Sequence, residues 1–574
     1  MLRIIRQRRS QIQYVARALG GLPVVINLVS VLAIAAAVAD PDGVLGRGAA
    51  LVAVVLIAGR VTSLAAKDVR AKTEQRLWVG NSVVARVAAT AAALAVGMAH
   101  DEDTWTVVAA VLLLVLLIGE QTLRRPLGSA IPQAANLPRA QVALPSDGLA
   151  MWIFLVDTLG IALLAVSGAF HLSPWPAVVA GVAGTVMMLV IGLQAVRFLV
   201  ERRRLEADLP SILDELGPKF AFHWQAPAGT AYQAAMWLPY LDRIGTPYFV
   251  LVRTVANFVE VSKMTTAPVI LRTGLEDLDR VVTPSLRAVF YANTAVRNSH
   301  MIRFPHLTHI QLNHGDSDKI ASVSPTFRQY DRNFVAGQAA IDRFATHGVA
   351  TLPEQFEIVG RPQLEEVRSA RGPISAVERP TVLYSPTWSG FYDDSDYSSL
   401  SAGPAIVQAL LDRGCVVVFR PHPYARRHPG NTRACAQVID LLVADTRATG
   451  REHVFGPAAE TEMSVVDCFN ASDAMISDVS SVTSDYLISD KPFAMAAVSA
   501  HGDAFLAGFP LAKAAYVFDV VRGKAEGIAG VVDDMLGTDS LAETRRSLRS
   551  YYLGDSPAEL IADRFLETAR RYLR

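Results

Sequence analysis

The feature that most constrains the fold is a series of six apolar segments within the first two hundred residues. Each is close to the roughly 20 residues that a helix needs to cross a bilayer. Hydrophobic residues make up 51% of the chain and charged residues 19%, and the apolar excess is confined to this region. The sequence therefore predicts an α-helical multispan membrane domain with about six transmembrane helices over residues 1–205. The predicted spans lie near residues 23–39, 48–66, 82–99, 105–119, 150–170 and 175–196.

Basic residues alternate across the loops between these spans. They precede the first span and follow the second, fourth and sixth, whereas the intervening loops hold mainly acidic or uncharged residues such as Asp101, Glu102 and Asp103. By the positive-inside rule, this alternation places both termini in the cytoplasm. The sequence therefore predicts a multi-pass plasma-membrane protein whose large C-terminal region is cytoplasmic. The basic residues are Arg3, Arg6, Arg8, Arg9, Arg17, Lys67, Arg70, Lys72, Arg76, Arg124, Arg125, Arg139, Arg202, Arg203 and Arg204.

Two features of this region have alternative interpretations. Ala37-Val38-Ala39 follows a basic segment and an apolar one and so resembles a signal-peptidase site. Cleavage there would leave the later basic loops, and with them the C-terminal region, on the same side. Arg60, Arg86 and Asp157 lie within predicted spans, where charges are costly in lipid, so we expect them to face other helices. They either pair with one another, extend toward an interface, or line a polar transport route.

Charge and cysteine content exclude two classes of function. The chain has 54 basic and 54 acidic residues, so it has no overall positive field to attract nucleic acid. Its three cysteines, Cys415, Cys435 and Cys468, are widely spaced and form no CxxC pair of the kind found in metal and redox sites. Three unpaired thiols suit a reducing cytoplasm. We therefore predict no nucleic-acid partner and no CxxC-type metal or redox site.

From about residue 208 the pattern changes to short β-branched or aromatic runs that alternate with longer amphipathic ones. This alternation is typical of α/β units around parallel sheets. The runs form two sets, which predict an N-terminal Rossmann-like domain over 206–352 and a C-terminal one over 353–574, joined by a linker near 348–355. The first set of predicted strands is 219–224, 248–252, 288–291, 308–312 and 333–336, and the second is 356–359, 381–384, 416–419, 453–455 and 474–477.

Ligands of open α/β sheets bind outside the carboxyl ends of the strands, so the turns that follow strands are the candidate sites. Asn313-His314-Gly315 follows the 308–312 strand. His314 is a candidate general base, because the ordinary pKa of histidine, roughly 6.5, lies near the working pH. The alternative is a turn histidine that makes only local contacts. Lys319 is either a phosphate partner or a solvated surface charge.

Two further turns carry groups suited to phosphate. Ser385 and Thr387 follow the 381–384 strand and offer hydroxyls and free backbone N–H groups, although ordinary turn chemistry explains them nearly as well. Arg420 and His422 alternate with prolines after the 416–419 strand. A rigid turn that projects a guanidinium and an imidazole together suits a diphosphate whose charge grows as it leaves.

The turn that follows the 474–477 strand contains Asp478, Ser480 and Ser481 and opens a predicted helix. The first N–H groups of a helix lack internal partners and lie at its positive end, so the two hydroxyls could complete an anion site. The alternative is an ordinary N-cap, for which serine and aspartate are preferred residues. The other turns that follow strands also carry groups suited to phosphate, and this favours the anion site.

The ordered set His314-Gly315, Ser385-Pro386-Thr387-Trp388, Arg420-Pro421-His422-Pro423 and Asp478-Val479-Ser480-Ser481 resembles the CDP-glycerol:poly(glycerophosphate) glycerophosphotransferases of teichoic acid synthesis. The resemblance covers roughly residues 300–500. It implies a GT-B fold of two Rossmann domains that acts at the cytoplasmic face of the bacterial plasma membrane without a required metal or cofactor. Family members commonly have Thr-Pro where this chain has Asp316-Ser317.

The resemblance also implies the reaction. A polyol phosphate, glycerol phosphate or a relative, moves from CDP-glycerol or a related CDP-alcohol to a lipid-linked acceptor during cell-wall polymer synthesis. His314 would remove the proton of the acceptor hydroxyl that attacks the β-phosphorus, and CMP would depart. Arg420 and His422 would handle the phosphates. The predicted donor-phosphate residues are Ser385, Thr387, Lys319, Asp478, Ser480 and Ser481.

Several alternatives remain open at the level of sequence. A two-Rossmann cleft also serves nucleotide-sugar glycosyltransferases, and a membrane transporter or flippase with a regulatory cytoplasmic domain is a candidate from another class. The acidic run 393–396 could bind Mg²⁺ but is more typical of a solvated loop. The segment 222–233 follows the first predicted strand; it either cradles a phosphate or packs Trp224, Tyr232 and Trp237 as core, and we favour the core.

Overall fold

The computed structural model describes residues 22–70, 80–99, 103–138, 142–390 and 396–574. The chain divides into two compact units, Met1–Ile212 and Leu213–Arg574. Several charged residues used above for the topology and for the Mg²⁺ alternative lie outside the described residues. They are Arg3, Arg6, Arg8, Arg9, Arg17, Lys72, Arg76, Asp101, Glu102, Arg139, Asp393 and Asp394.

The first unit is helical, and a helix covers each predicted span. Four of its helices, α2, α4, α5 and α6, are long and apolar enough to cross a membrane, and α1 and α3 are shorter apolar helices. The apolar segments are therefore confirmed as helices, whereas their orientation in a membrane stays a prediction. The elements are α1 (Leu22–Ala39), α2 (Val44–Arg70), α3 (Val83–Met98), α4 (Thr104–Gly128), β1 (Ala134–Ala135), α5 (Asp147–Phe170) and α6 (Trp175–Leu216).

The last of these helices is longer than its predicted span. It continues beyond residue 196 to Leu216, so Arg202, Arg203 and Arg204 lie within a helix and not in a loop. The segment after the apolar stretch is rich in arginine, glutamate and leucine, which are strong helix formers, and this composition lets the helix run on.

A buried charge cluster joins three helices of the first unit. One Nη1 of Arg86 donates to Glu120 Oε1 and to Asp157 Oδ2, at 2.9 Å each, and the other Nη pairs with Glu120 Oε2. All three side chains are fully buried. The backbone N–H of Gly80 also donates to Glu120 Oε2, at 2.7 Å. The prediction that Arg86 and Asp157 face other helices is confirmed, and they pair as that prediction allowed.

The second unit contains two sheets. The first has seven parallel strands in the order β4-β3-β2-β5-β6-β7-β8 within this unit. The sequence identified five of them in place and missed β4, which is only three residues long. The strands are β2 (Phe220–Trp224), β3 (Tyr248–Val252), β4 (Val269–Leu271), β5 (Ala288–Tyr291), β6 (Thr308–Gln311), β7 (Arg332–Val335) and β8 (Phe356–Ile358).

The second sheet has the order β10-β9-β11-β12-β13-β14 and is parallel except for the last pair. The predicted strand at 453–455 is wrong, because only one bridge, between Val454 and Val418, forms there. The last three strands were not predicted. The strands are β9 (Thr381–Ser385), β10 (Val416–Phe419), β11 (Ala474–Ser477), β12 (Phe493–Ala497), β13 (Tyr516–Val521) and β14 (Lys524–Glu526).

Helices of four to 21 residues connect the strands, and the chain ends in three further helices. Those of the first half are α7 (Tyr232–Ala235), α8 (Leu238–Arg243), α9 (Val255–Val261), α10 (Ser299–Ile302) and α11 (Gln338–Thr346). Those that follow are α12 (Gly403–Leu411), α13 (Pro429–Thr449), α14 (Val465–Ala471), α15 (Ser481–Tyr486), α16 (Gly502–Gly508), α17 (Ile528–Leu536), α18 (Ala542–Leu553) and α19 (Ala558–Arg571).

Two segments that the sequence placed in the second half instead contact the first sheet. Strand β8 pairs with β7, with Phe356 opposite Asn333. In the final helix, the Phe565 ring lies 5.3 Å from that of Trp237 and 6.2 Å from that of Phe334. Local patterns cannot report these contacts, because they join residues far apart in the chain. The result is a helical region followed by a GT-B-like pair of Rossmann-type sheets, as the sequence predicted.

Candidate active site

His314 lies on a tight turn directly after β6. Asn313 has a left-handed backbone, with φ of 58°, and its carbonyl accepts a 2.6 Å hydrogen bond from Trp237 Nε1. His314 Nδ1 lies 2.9 Å from the carbonyl oxygen of Ala292. Because a carbonyl only accepts, Nδ1 carries the proton, and the lone pair of a neutral ring is on Nε2. The basic nitrogen of His314 is thus Nε2, on the side of the ring away from the hydrogen bond to Ala292.

The environment of His314 keeps the ring neutral. Its side chain is reached by solvent, but the protein that surrounds the turn lowers its pKa by desolvation. The hydrogen bond to the Ala292 carbonyl raises the pKa and the Arg361 charge lowers it, and the net shift is downward. A histidine with a lowered pKa is available as a proton acceptor at neutral pH.

The His314 turn touches the start of α15 in the other half. A methyl group on Gly315 would lie 2.7 Å from Ser481 Oγ and 2.9 Å from its Cβ. Ser484 Oγ donates to the Asp316 carbonyl at 2.5 Å. Only glycine permits this approach. The structure therefore brings His314 and Ser481, which the sequence placed on separate turns, to adjoining positions.

Lys319, Thr387 and Asp478 form a chain of contacts. Lys319 Nζ donates to Thr387 Oγ1 at 3.0 Å, and the Thr387 backbone N–H donates to Asp478 Oδ2 at 2.7 Å. Burial raises the pKa of Asp478 to about 7, against the charge of Lys319. Burial also lowers the pKa of Lys319 to about 8, against Asp478 and Asp396. Asp478 thus positions the backbone of Thr387 in the turn after β9. Lys319 is the cationic side chain of this cluster.

The serines of the two neighbouring strand ends are mutually bonded. Ser385 Oγ donates to the Arg420 carbonyl at 3.2 Å, and Ser477 Oγ donates to the Ser385 carbonyl at 2.7 Å. Ser480 occupies the N-cap position of α15 but makes no capping hydrogen bond with its side chain. Its hydroxyl lies 3.2 Å from Thr483 Oγ1. The ordinary capping role that sequence left open for Ser480 is therefore not the one observed.

Arg420 is held by backbone carbonyls. Its Nη1 donates to the carbonyl of Ala459 and, at 2.7 Å, to that of Met463. Residues 458–462 form a π-helical turn, and these bonds tie that turn to the end of β10. Nη1 of Arg420 is therefore occupied by hydrogen bonds to the backbone. Contact of the guanidinium with a phosphate stays a prediction.

His422 is anchored in the opposite sense to His314. The backbone N–H of Tyr424 donates to His422 Nδ1 at 3.0 Å, so a neutral His422 carries its proton on Nε2. Burial, and then the charge of Lys319, lower its pKa to about 3. The ring stacks on Trp388 with centroids 6.1 Å apart. His422 is therefore a neutral hydrogen-bond donor that shares one electrostatic environment with His314 and Lys319.

Sequence reasoning placed one aromatic residue of this site in the core. Tyr232 is 36% exposed, and its ring meets His422 edge-on at 6.4 Å. Its position in the turn after β2, at the same sheet edge as His314, was the available signal.

Two arginines that the sequence did not identify, Arg361 and Arg343, form ion pairs next to the site. Arg361 binds both carboxylate oxygens of Asp485 at 3.1 Å. Arg343 donates to Asp318 Oδ1 at 2.9 Å and also pairs with Asp316. Asp316, which stands where members of the resembled family commonly have threonine, thus contacts Arg343 of the same half. Among the described residues there is no group of three or more His, Cys, Asp or Glu side chains that could hold a metal ion.

Residues 363–501 match the model of the family described as CDP-Glycerol:Poly(glycerophosphate) glycerophosphotransferase. The match covers 139 of the 574 residues, so the chain is similar to this family over about a quarter of its length. The matched segment contains Ser385, Thr387, Arg420, His422 and the Asp478–Ser481 turn, whereas His314 and Lys319 precede it.

The chain also resembles several solved structures. The wall teichoic acid polymerase TagF is 14% identical, with 67% of this chain and 96% of that chain covered and a TM-score of 0.40. Anabaena HepE, solved with UDP and glucose, is 13% identical, with 62% and 99% covered and a TM-score of 0.39. S. aureus MnaA, solved with UDP, is 12% identical, with 62% and 97% covered and a TM-score of 0.42. At these values the structures carry no argument about what this chain binds. No curated protein matches the chain.

Proposed function

We propose that this enzyme is membrane-embedded and transfers a polyol phosphate, glycerol phosphate or a close relative, from a CDP-alcohol to a lipid-linked acceptor at the cytoplasmic face. The observation that supports the proposal is a pair of neutral histidines in opposite tautomers. His314 offers an Nε2 lone pair and His422 offers an Nε2–H, within a unit that carries the family's segment.

In this mechanism His314 Nε2 accepts the proton of the acceptor hydroxyl as its oxygen attacks the phosphorus nearer the polyol. A new phosphodiester bond forms, and the bond to the bridging oxygen breaks, so that CMP leaves with the bonding electrons. His422 Nε2–H and Lys319 Nζ donate to phosphate oxygens as charge accumulates on them. Fixed donors of this kind stabilise a transition state without reorganisation.

The serine and threonine hydroxyls of the second half form the donor side of the site. Ser480 and Ser481 lie at the start of α15, which has six residues. Ser481 also abuts Gly315, next to the proposed base. Together with Ser385 and Thr387, these side chains would hold the diphosphate. Asp478 acts through Thr387, whose backbone it fixes. We keep Arg420 as a candidate phosphate ligand through the nitrogens other than Nη1.

The membrane assignment rests on the first unit. Four helices there are long and apolar enough to span a bilayer, and the sequence pattern of basic loops favours cytoplasmic termini. A membrane-embedded enzyme would keep its site near an acceptor that is anchored in lipid. Reporter fusions at Arg574 and in the loop between α1 and α2 test this arrangement, because the two positions should report opposite sides.

The decisive experiment is a donor screen on membranes that contain the full-length protein. Labelled CDP-glycerol, CDP-ribitol and UDP-sugars are supplied with a lipid-linked primer, and both CMP or UDP release and product size are measured. We expect transfer from a CDP-alcohol, lost in His314→Ala and kept in His306→Ala, which removes an exposed histidine of the same half. Turnover of UDP-sugars alone would replace the proposal with glycosyl transfer. Full activity of His314→Ala would exclude this site.

A further inference from the structure

A pocket of about 370 Å³ lies at the amino edge of the second sheet, opposite the edge at which His422 and the Asp478–Ser481 turn lie. Its lining includes Asp473 and Lys491, which come just before β11 and β12. These two strands are parallel neighbours, so both of them begin at this edge. Strand β11 has four residues, which places the Asp478–Ser481 turn about 13 Å away along the strand. The pocket is therefore separate from the proposed transfer site.

Cationic side chains dominate the charge of this pocket. Arg368, Arg371 and Lys491 line it, against a single carboxylate, that of Asp473. Asp473 Oδ2 accepts a 2.9 Å hydrogen bond from the backbone N–H of Thr381 at the start of β9, so one of its oxygens already serves the fold. The pocket therefore has a net positive charge and favours an anionic ligand.

The two arginines have guanidinium groups that a ligand can reach. Arg368 and Arg371 are both exposed. Within the part of the chain that the structure describes, neither guanidinium forms a hydrogen bond or an ion pair. Planar guanidinium donors pair with two phosphate oxygens at once, which makes arginine the side chain best suited to phosphate. A phosphate that enters the pocket would therefore meet unoccupied donors on both residues.

The segment that carries these arginines is held from two sides. The Arg368 N–H donates to Asn470 Oδ1 at 2.7 Å, and Asn470 Nδ2 donates in turn to the Glu366 carbonyl at 2.9 Å. The Ala370 N–H donates to the Ser489 carbonyl at 2.9 Å. Because the backbone is already fixed, less conformational freedom is lost when a ligand binds.

Lys491 is the buried cation of the pocket. It is 6% exposed, and its Nζ donates to the carbonyls of Phe469 and Ser472 at 2.7 and 2.6 Å. An ammonium group has three donors, so one N–H remains beyond these two bonds. Burial lowers its pKa to about 8 against the charge of Asp473, and the two arginines contribute to the decrease. The three cations thus act on one another, and an anion among them would relieve their repulsion.

We propose that this pocket binds a soluble phosphate ester, with the phosphate held among Arg368, Arg371 and Lys491. The volume of the pocket is within the range of roughly 300–1,000 Å³ that small-molecule sites span. Apolar side chains such as Ile374 and Val377 line the same pocket and would contact the organic part of the ester. Binding here requires no step of the proposed transfer reaction.

The test is equilibrium dialysis of the full-length protein in detergent against umbelliferyl phosphate, a fluorescent phosphate ester with an apolar ring system. We expect saturable binding that salt weakens, with about tenfold lower affinity in Arg368→Gln and in Arg371→Gln. Arg379→Gln is the matched control, because Arg379 is exposed in the same stretch of chain but does not line the pocket. Umbelliferone, which lacks the phosphate, should not bind.

A further variant distinguishes this pocket from the histidine site, where Lys319 could hold the same phosphate. Binding should persist in Lys319→Gln. Its loss there, with Arg368→Gln and Arg371→Gln binding as wild type does, would place the ester at the transfer site and overturn the proposal. Wild-type protein that fails to bind, or an equal loss in Arg379→Gln, also overturns it. Arginine-dependent binding without turnover of any CDP-alcohol leaves the pocket in place and refutes only the proposed reaction.

Discussion

Gly315 and Ser481 are in such close contact that a methyl group on Gly315 would lie 2.7 Å from the Ser481 hydroxyl oxygen. The two residues belong to different halves of the second unit, and each adjoins a proposed functional group. The contact therefore sets how the proposed base and the proposed donor-phosphate hydroxyls are spaced.

Gly315→Ala should lower kcat/KM at least tenfold, because the turn or the start of α15 must move by several tenths of an ångström. Steady-state kinetics with CDP-glycerol measures the effect. Gly372→Ala is the control, since a Cβ on Gly372 meets no atom within 4 Å. The double variant Gly315→Ala with Ser481→Gly should recover part of the loss. Full activity of Gly315→Ala alone would show that the halves are spaced independently of this contact.

The pH profile should report His314. Its pKa lies below the ordinary value of 6.5, and a general base must be unprotonated, so kcat/KM should rise with pH and level off before neutrality. His314→Ala should lower kcat by roughly 10²–10⁴-fold and remove this acid limb. An acid limb that persists unchanged in His314→Ala, at whatever residual rate, would assign the titration to another group.

His422 should act as a donor through Nε2–H. His422→Gln retains an N–H group near that position, whereas His422→Phe keeps the ring shape and loses the donor. Removing one transition-state donor typically costs roughly 10²–10³-fold in kcat. We therefore expect the phenylalanine variant to be much slower than the glutamine variant, with KM for CDP-glycerol changed less than kcat. Equal rates would indicate that His422 contributes only packing against Trp388.

The pair Arg361–Asp485 should be important for stability. Both side chains are nearly buried, at 5% and 10% exposed, so Arg361→Ala leaves an uncompensated buried carboxylate. We expect a loss of about 3–5 kcal/mol in the free energy of unfolding, measured by denaturant titration of the second unit's tryptophan fluorescence. Arg571→Ala is the control, because Arg571 is 54% exposed and reaches Glu357 only at 3.3 Å, so this pair should contribute less than about 1 kcal/mol. Similar losses in both variants would contradict the burial argument.

Local patterns in the sequence predicted much of this protein. The lengths of the apolar segments predicted the helices of the first unit, and the local pattern placed His314, His422 and the Asp478–Ser481 turn after strands, because burial and turn preferences depend on neighbouring residues. Their functional roles stay predictions. The same logic missed β4 and β12–β14 and wrongly predicted a strand at 453–455, where hydrogen-bond partners decide whether a short apolar run becomes a strand.

Other features follow only from the tertiary structure. The pairing of β8 with β7, the return of α19 to Trp237, the carbonyl anchors of Arg420 and the proton positions on the two histidines all depend on residues distant in the chain. Sequence determined which residue types stand at the strand ends, since that is fixed by local hydrophobic pattern. Long-range packing decided which of their atoms remain available for chemistry, since each hydrogen bond removes a lone pair or a proton from use.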